Sequence, residues 1–577
     1  MKLSYKIAIK NPENHMLQVV IHGRKGPEEN EISFFLPSWS PGSYLMREYG
    51  KNIRTFKAEI ANGEVLYHEQ VDKGVYRLDW NKSQLNTPSD EFQITYEIYC
   101  HELTVRTSHI DRSHAFIHGP SVFMGVVGKE IEGPTLEIEF PPLWSKVTTG
   151  LKDISTKREV FLYQAKNYDE LIDTPVEIGC HETDGFRVEG IDHELAFYGG
   201  TFPHKWELKE DIKKIVEHVS KTMRDIPYDK YTFITHYGPG LFGGLEHLNS
   251  TALQYCSRSM TERKKYVGFL ELVAHEYFHT WNVKRIRPIE LGPFDYLNEA
   301  KTRMHWLTEG LTSFMDQLFM YRLDFVTLEE YLELMKKNLN RYYSIPGRKF
   351  HSLEDSSFNS WIKLYRPDEN SNNSSISYYL KGGLVFFVLN IMMNEKGKSI
   401  TDLLDALWDG FKKRPEQGYV KEEVLKMITD IAGKDVCDYF DTMISTTNEI
   451  DFEAFFNKAG IEVEWESAPK VWLGLTPKFL TDRVVISQVA LDGPAYKGGL
   501  NAGDEILAIN GLRTLKDGFN DYESYMSATD SYTFTISRLG YIQDVVVSPS
   551  AGPKMIKGFK VVDSTKASQW LKARMPQ

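Results

Sequence analysis

The 577 residues exceed what one hydrophobic core can organise and predict about three or four domains. A hydrophobic share of 41% and a charged share of 26% are ordinary for a globular protein, and no run of about 18 apolar residues offers a membrane span. The net charge of −12 argues against a nucleic-acid partner held through its phosphates, while 31 Tyr and 32 Phe predict large, well-packed cores.

Residues 1–10 alternate like a strand and lack the apolar core of a signal peptide, so the expected location is the cytoplasm. Short alternating runs recur at 17–21, 32–36, 92–98 and 136–140 and predict an all-β domain over residues 1–180. Within it, the turn-rich stretches 37–44 and 106–111 read equally as packed turns, the first plugged by Trp39, or as site loops. Cys100, Cys180, Cys256 and Cys437 are scattered without a CxxC pair, which suits reduced thiols.

Character changes near residue 200. Helical spacing over 206–224 precedes a predicted strand at 231–237 and a Gly-rich loop at 238–247. Alone, that loop reads first as a flexible turn carrying a solvated Glu. Its functional reading has Gly243 and Gly244 admitting a peptide backbone closely, with Glu246 facing a protonated N-terminal amine.

Residues 265–284 contain no Pro, and Tyr266, Phe269, Leu270, Val273, Phe278 and Trp281 suit a buried helix that Pro288 ends. His275 and His279 stand four apart on it, so both imidazoles leave one face and can grip one ion, with Glu276 beside them as a base for a water on that ion. The bland alternative is a buried helix whose histidines make ordinary hydrogen bonds. A second apolar helix at 303–315 places Glu309 among hydrophobic neighbours, where a carboxylate needs a counter-charge. Two His and one Glu leave a coordination position open, as catalytic zinc sites do.

His351 reads as loop entry without a role, and 368–375 as a polar loop. The helix predicted at 384–393 is preceded by Tyr378 and Tyr379, readable as core aromatics or as an oxyanion donor beside a cleft. Further helices are predicted at 401–412, 421–431 and 452–458. From about 466 short strands return, and residues 472–475 with 504–511 resemble the carboxylate loop and the signature strand and turn of a PDZ domain, which implies capture of a peptide C-terminus as an added strand. The predicted division is thus an N-terminal β domain (1–180), a catalytic domain (181–462), a PDZ domain (463–552) and a tail (553–577), multidomain α+β as a whole.

These motifs together resemble peptidase family M61, the glycyl aminopeptidases, which belong with the thermolysin-like gluzincins. The stretches that carry the resemblance are 39–44, 106–111, Gly243 to His247, His275 to Trp281, Trp306 to Phe314, Tyr379 to Gly382 and the PDZ segment. The resemblance implies a mostly α, thermolysin-like catalytic domain and Zn2+ held by His275, His279 and Glu309. It also implies removal of N-terminal Gly, with Ala weaker, Glu246 holding the amine and Tyr379 the oxyanion. His247 stands where the alanyl-type zinc aminopeptidases carry Asn, so the loop's contacts transfer less directly. Two other functions fit parts of the chain: a zinc endopeptidase selecting substrates through the PDZ segment, and a non-catalytic peptide scaffold. The complete metal and base set counts against the scaffold.

Overall fold

The computed structural model describes residues 1–87, 89–157, 160–199, 206–467 and 471–572. Two compact units emerge, Met1–Ala300 with Trp408–Tyr419, and Lys301–Leu407 with Val420–Gln577.

The first unit begins as predicted, in β structure. A seven-stranded sheet centres on Leu3–Ala8, Met16–Arg24 and Glu91–Tyr99. Alternation along these strands sends Leu3, Tyr5, Ile7, Leu17, Val19, Ile21, Ile94 and Tyr96 into one core, because successive side chains leave opposite faces. Two four-stranded sheets complete this part.

A five-stranded sheet follows, in the order Glu182–Val188, Ile191–Tyr198, Lys230–Tyr237, Ser250–Tyr255, Gly243–Glu246. The stretch predicted as a loop therefore holds the edge strand of this sheet, since Gly243–Glu246 pairs antiparallel with Ser250–Tyr255. One face of the central strand sets Tyr231 and Phe233 against Tyr277 of the helix Arg263–Phe278, with ring centroids 5.1 and 6.0 Å apart. Residues on the other face, Ile234, Leu245 and Ala252, join Val105 and Phe116. Glu177 ties the β part to this sheet, accepting from His114 Nδ1 at 2.7 Å and His236 Nε2 at 2.9 Å. Burial raises the Glu177 carboxyl, but the two rings outweigh it and bring its pKa down to about 2.

The helix that carries His275 stops earlier than predicted. Helical structure ends at Phe278, well before Pro288, and turns continue to Arg285. The reason is local: His279 Nδ1 donates to Asn282 O at 2.6 Å, and Ile286 N closes a wide turn on Trp281 O at 2.7 Å.

The second unit is mainly helical, then β. Its longest helices are Leu328–Ser344 and Tyr378–Glu395, the latter buried nearly all round. The predicted later helices occur at Ile400–Lys413, Lys421–Ala432 and Phe452–Lys458, whereas Leu328–Ser344 and Lys434–Ser445 were not among those predicted. The C-terminal sheet runs Leu475–Phe479, Val484–Val489, Glu505–Ile509, Tyr532–Arg538, Tyr541–Val547, with the helix Lys516–Tyr525. After it the chain returns: Ile556–Val561 pairs with Ile461–Trp465, and Trp570 packs on Phe387 with its carbonyl accepting from Asn390 Nδ2 at 2.7 Å. Residues 468–470 of the expected PDZ domain and 573–577 of the expected tail lie outside the described residues. All four cysteines are free thiols, and no helix among the described residues is long and apolar enough to cross a membrane.

Candidate active site

In the first unit the helix Arg263–Phe278 carries His275 and Glu276 on its last turn, with His279 as the residue that caps it. The His279 Nδ1–H donates to Asn282 O, which leaves the lone pair on Nε2. That Nε2 lies 3.1 Å from Nε2 of His275, a separation that suits two ligands on one ion. Glu276 is 5% exposed and Glu246 4%. Ligand atoms of Glu246, Glu276 and His279 all lie within 4.8 Å of one another. Two like charges buried this closely are unstable unless cations sit beside them. Glu246 Oε1 has no hydrogen-bond partner among the described residues, so its side of the pair is open to a donor.

The glycines explain how the carboxylates fit. A Cβ on Gly244 would collide with the Glu276 carboxylate, and one on Gly42 would stand 2.5 Å from Glu246 Oε1. Gly42 also has φ +84°, which favours Gly. The stretch 37–44 therefore does more than plug a turn: Trp39 is buried and donates to Asp295 O at 2.8 Å, and the chain then passes directly over Glu246. Arg106, from the other unassigned stretch, donates to Gly244 O at 3.1 Å. Neither contact has a local signature in the sequence. His247 plays a structural part, its Nδ1 3.4 Å from Asp173, which also accepts from Lys284 Nζ at 2.7 Å and Leu248 N–H at 2.8 Å. Against the upward pull of burial, Lys284 and His247 hold the Asp173 carboxyl at about 2. A cavity of about 180 Å³ borders Glu246, walled by Trp39, Tyr44, Lys284 and Phe294.

In the second unit Glu309 sits 2% exposed on a π-turn, Trp306–Leu311, a widened turn of the kind that recurs at functional sites. Tyr379 opens the helix Tyr378–Glu395, its N–H donating to Ser377 Oγ at 3.2 Å. Burial first, and then the Glu309 carboxylate, hold the Tyr379 phenol well above its ordinary pKa, so it stays a donor. The π-turn and the helix cross at two glycines: a Cβ on Gly310 would lie 2.8 Å from Gly382 Cα. This backbone contact is why both motifs contain Gly.

Three family models match parts of the chain. The peptidase M61 N-terminal domain matches residues 4–180, M61 glycyl aminopeptidase matches 268–385, and a PDZ domain matches 485–536. The chain belongs to peptidase family M61. It is accordingly a metallo-aminopeptidase, and the expected β, catalytic and PDZ parts are all present. Similarity at 27% identity and TM-score 0.91 extends over 99% of this chain and 100% of the crystallised aminopeptidase N family protein from Idiomarina loihiensis. A variant of an M1 zinc metallopeptidase from Deinococcus radiodurans is more distant, with 11% identity and TM-score 0.49 over 78% of this chain and 95% of that one.

For this M61 enzyme the glycine crossing makes a direct prediction. Gly310→Ala pushes a methyl into the Gly382 backbone and costs about 2 kcal/mol from overpacking, more than the roughly 1 kcal/mol that Ala gains in helix propensity. A thermal melt is expected to show the lower Tm together with reduced peptidase activity. An unchanged melt would mean that the two backbones separate freely.

Proposed function

We propose that this M61 enzyme is a zinc aminopeptidase that removes the N-terminal residue of peptides, Gly before Ala, with zinc held by His275, His279 and Glu309. The observation that carries the reading is the buried group of Glu246, Glu276 and His279, whose two carboxylates call for cations beside them. A metal ion at the paired imidazoles and a substrate amine at Glu246 answer that demand. Two imidazole nitrogens and one carboxylate form the open donor set of a catalytic zinc site. The glycyl type of the matching family model supports the preference for Gly.

Bound zinc supplies a Lewis acid and a water acidified toward neutral pH. Glu276 is the general base: it takes the proton of the attacking water on one oxygen and returns it to the leaving amine. Glu246, open on Oε1, receives the free N-terminal ammonium and so sets cleavage one residue in. Arg106 keeps the Gly244 carbonyl in place, and with it the strand along which the substrate backbone lies. Tyr379, protonated at all working pH, donates to the developing oxyanion. The PDZ domain offers the edge strand Leu475–Phe479 to a peptide C-terminus.

Amino-acid anilides, free and N-acetylated, test the reading directly. Gly-anilide is expected to turn over fastest, Ala-anilide more slowly and the acetylated compounds hardly at all. A chelator is expected to stop the reaction and added Zn2+ to restore it. Equal turnover of acetylated substrates would point to an endopeptidase, and activity that survives chelation would remove the metal.

A further inference from the structure

The segment that leads to Tyr379 is anchored on the PDZ domain. It starts at Tyr365, whose hydroxyl lies 3.4 Å from that of Tyr379, and it passes through the single helical turn Ser371–Ser374. On that turn the Asn373 side chain spans two backbone groups of the PDZ domain. Its Nδ2 donates to Val489 O at 2.8 Å, and its Oδ1 accepts from Leu491 N–H at 2.8 Å. Asn372 Nδ2 adds a bond to Gln488 Oε1 at 2.9 Å.

The place gripped is specific. Ala490, between the two groups that Asn373 holds, donates its N–H to Gly474 O at 2.7 Å in the carboxylate loop. Val489 and Gln488 pair with Leu475 and Thr476, the first residues of the edge strand that a peptide would extend. On the other side of the turn, Lys363 Nζ donates to Ser374 O at 3.1 Å, Ser356 Oγ to Ile376 O at 2.5 Å, and Ser377 caps Tyr379. Every link from Gly474 to Tyr379 is thus a short chain of backbone and hydrogen bonds within one unit.

We infer that Asn373 is a positioning residue for the peptidase reaction: it fixes the Tyr379 segment to the carboxylate loop of the PDZ domain, making that domain part of the catalytic scaffold. The inference rests on the reading of Tyr379 as the oxyanion donor. An Asn suits the task because one planar amide both donates and accepts, and so locks two backbone groups with a single rotamer. Loosening such an anchor lets the phenol drift from the oxyanion it must meet, and a small misplacement of a catalytic group is costly in rate.

The test is a double-mutant cycle on Gly-anilide in the full-length zinc enzyme. Tyr379→Phe removes the donor and is expected to lower kcat strongly. Asn373→Ala is expected to lower kcat about tenfold with KM nearly unchanged. Asn373→Asp, which keeps the acceptor for Leu491 N–H but loses the donor to Val489 O, is expected to fall between. In the Tyr379→Phe background, Asn373→Ala is expected to have no further effect, because it acts through the hydroxyl already removed. Wild-type kcat in Asn373→Ala, or the same tenfold loss in both backgrounds, overturns the positioning role while leaving Tyr379 in place. Wild-type kcat in Tyr379→Phe overturns the oxyanion reading itself, independently of Asn373.

Discussion

Glu276→Gln is expected to lower kcat on Gly-anilide by roughly a thousandfold while zinc content and Tm stay near the wild-type values. The substitution keeps the volume and one oxygen of the side chain but removes its capacity to take a proton. Glu276 is buried on the last turn of the helix that carries His275, against the bare backbone of Gly244, so an isosteric amide fits the same space. It also removes one of two neighbouring buried negative charges, which is why stability is not expected to fall. The measurement pairs steady-state kinetics with metal analysis of the purified variant. Loss of zinc in parallel with activity would make Glu276 a contributor to metal retention. Retained activity would assign the base elsewhere.

Glu246→Ala separates amine recognition from chemistry. A charge-assisted bond to a substrate ammonium contributes about 2–3 kcal/mol, so losing it is expected to raise KM for free-amine substrates by roughly 100-fold. The ratio between free and acetylated substrates is the sharper readout. On the proposed reading an acetylated terminus would leave the buried Glu246 carboxylate without a counter-charge in the wild type, and such substrates are expected to be rejected. In the variant that penalty is absent, so the two substrate classes are expected to converge. A ratio that stays at its wild-type value would show that something other than Glu246, such as the chain passing over it at Gly42, sets the register of cleavage.

What was legible in advance was local. The His275–Glu276–His279 spacing is a property of one helix turn, and the alternation that defines the N-terminal sheet repeats every second residue along single strands. Motif content marked Glu309 locally, whereas Glu246 and Tyr379 stood out only through the family resemblance and the PDZ domain through two stretches about 30 residues apart. Even here local rules failed where side chains intervened. Pro288 was expected to end the helix of His275, yet the bond from His279 to Asn282 ends it first, and the edge strand Gly243–Glu246 was hidden by its own glycines.

Tertiary structure alone decided which of these marked residues act together and what holds them there. Glu246 and Glu276 become a buried pair because a β-strand is laid beside a helix, with Gly244 giving the backbone room to approach. Gly42 and Arg106, over 130 residues before that strand, complete its surroundings, and no periodicity connects positions so far apart. Gly310 and Gly382 matter as a pair only where their backbones touch, and Asn373 matters only because it meets Val489 and Leu491. The sequence by itself determined the helix face that carries His275 and His279, the candidate ligands and base, and the family. Packing determined the buried pair of Glu246 and Glu276 and the contacts of Asn373 with the PDZ domain, since both depend on segments that share no local pattern.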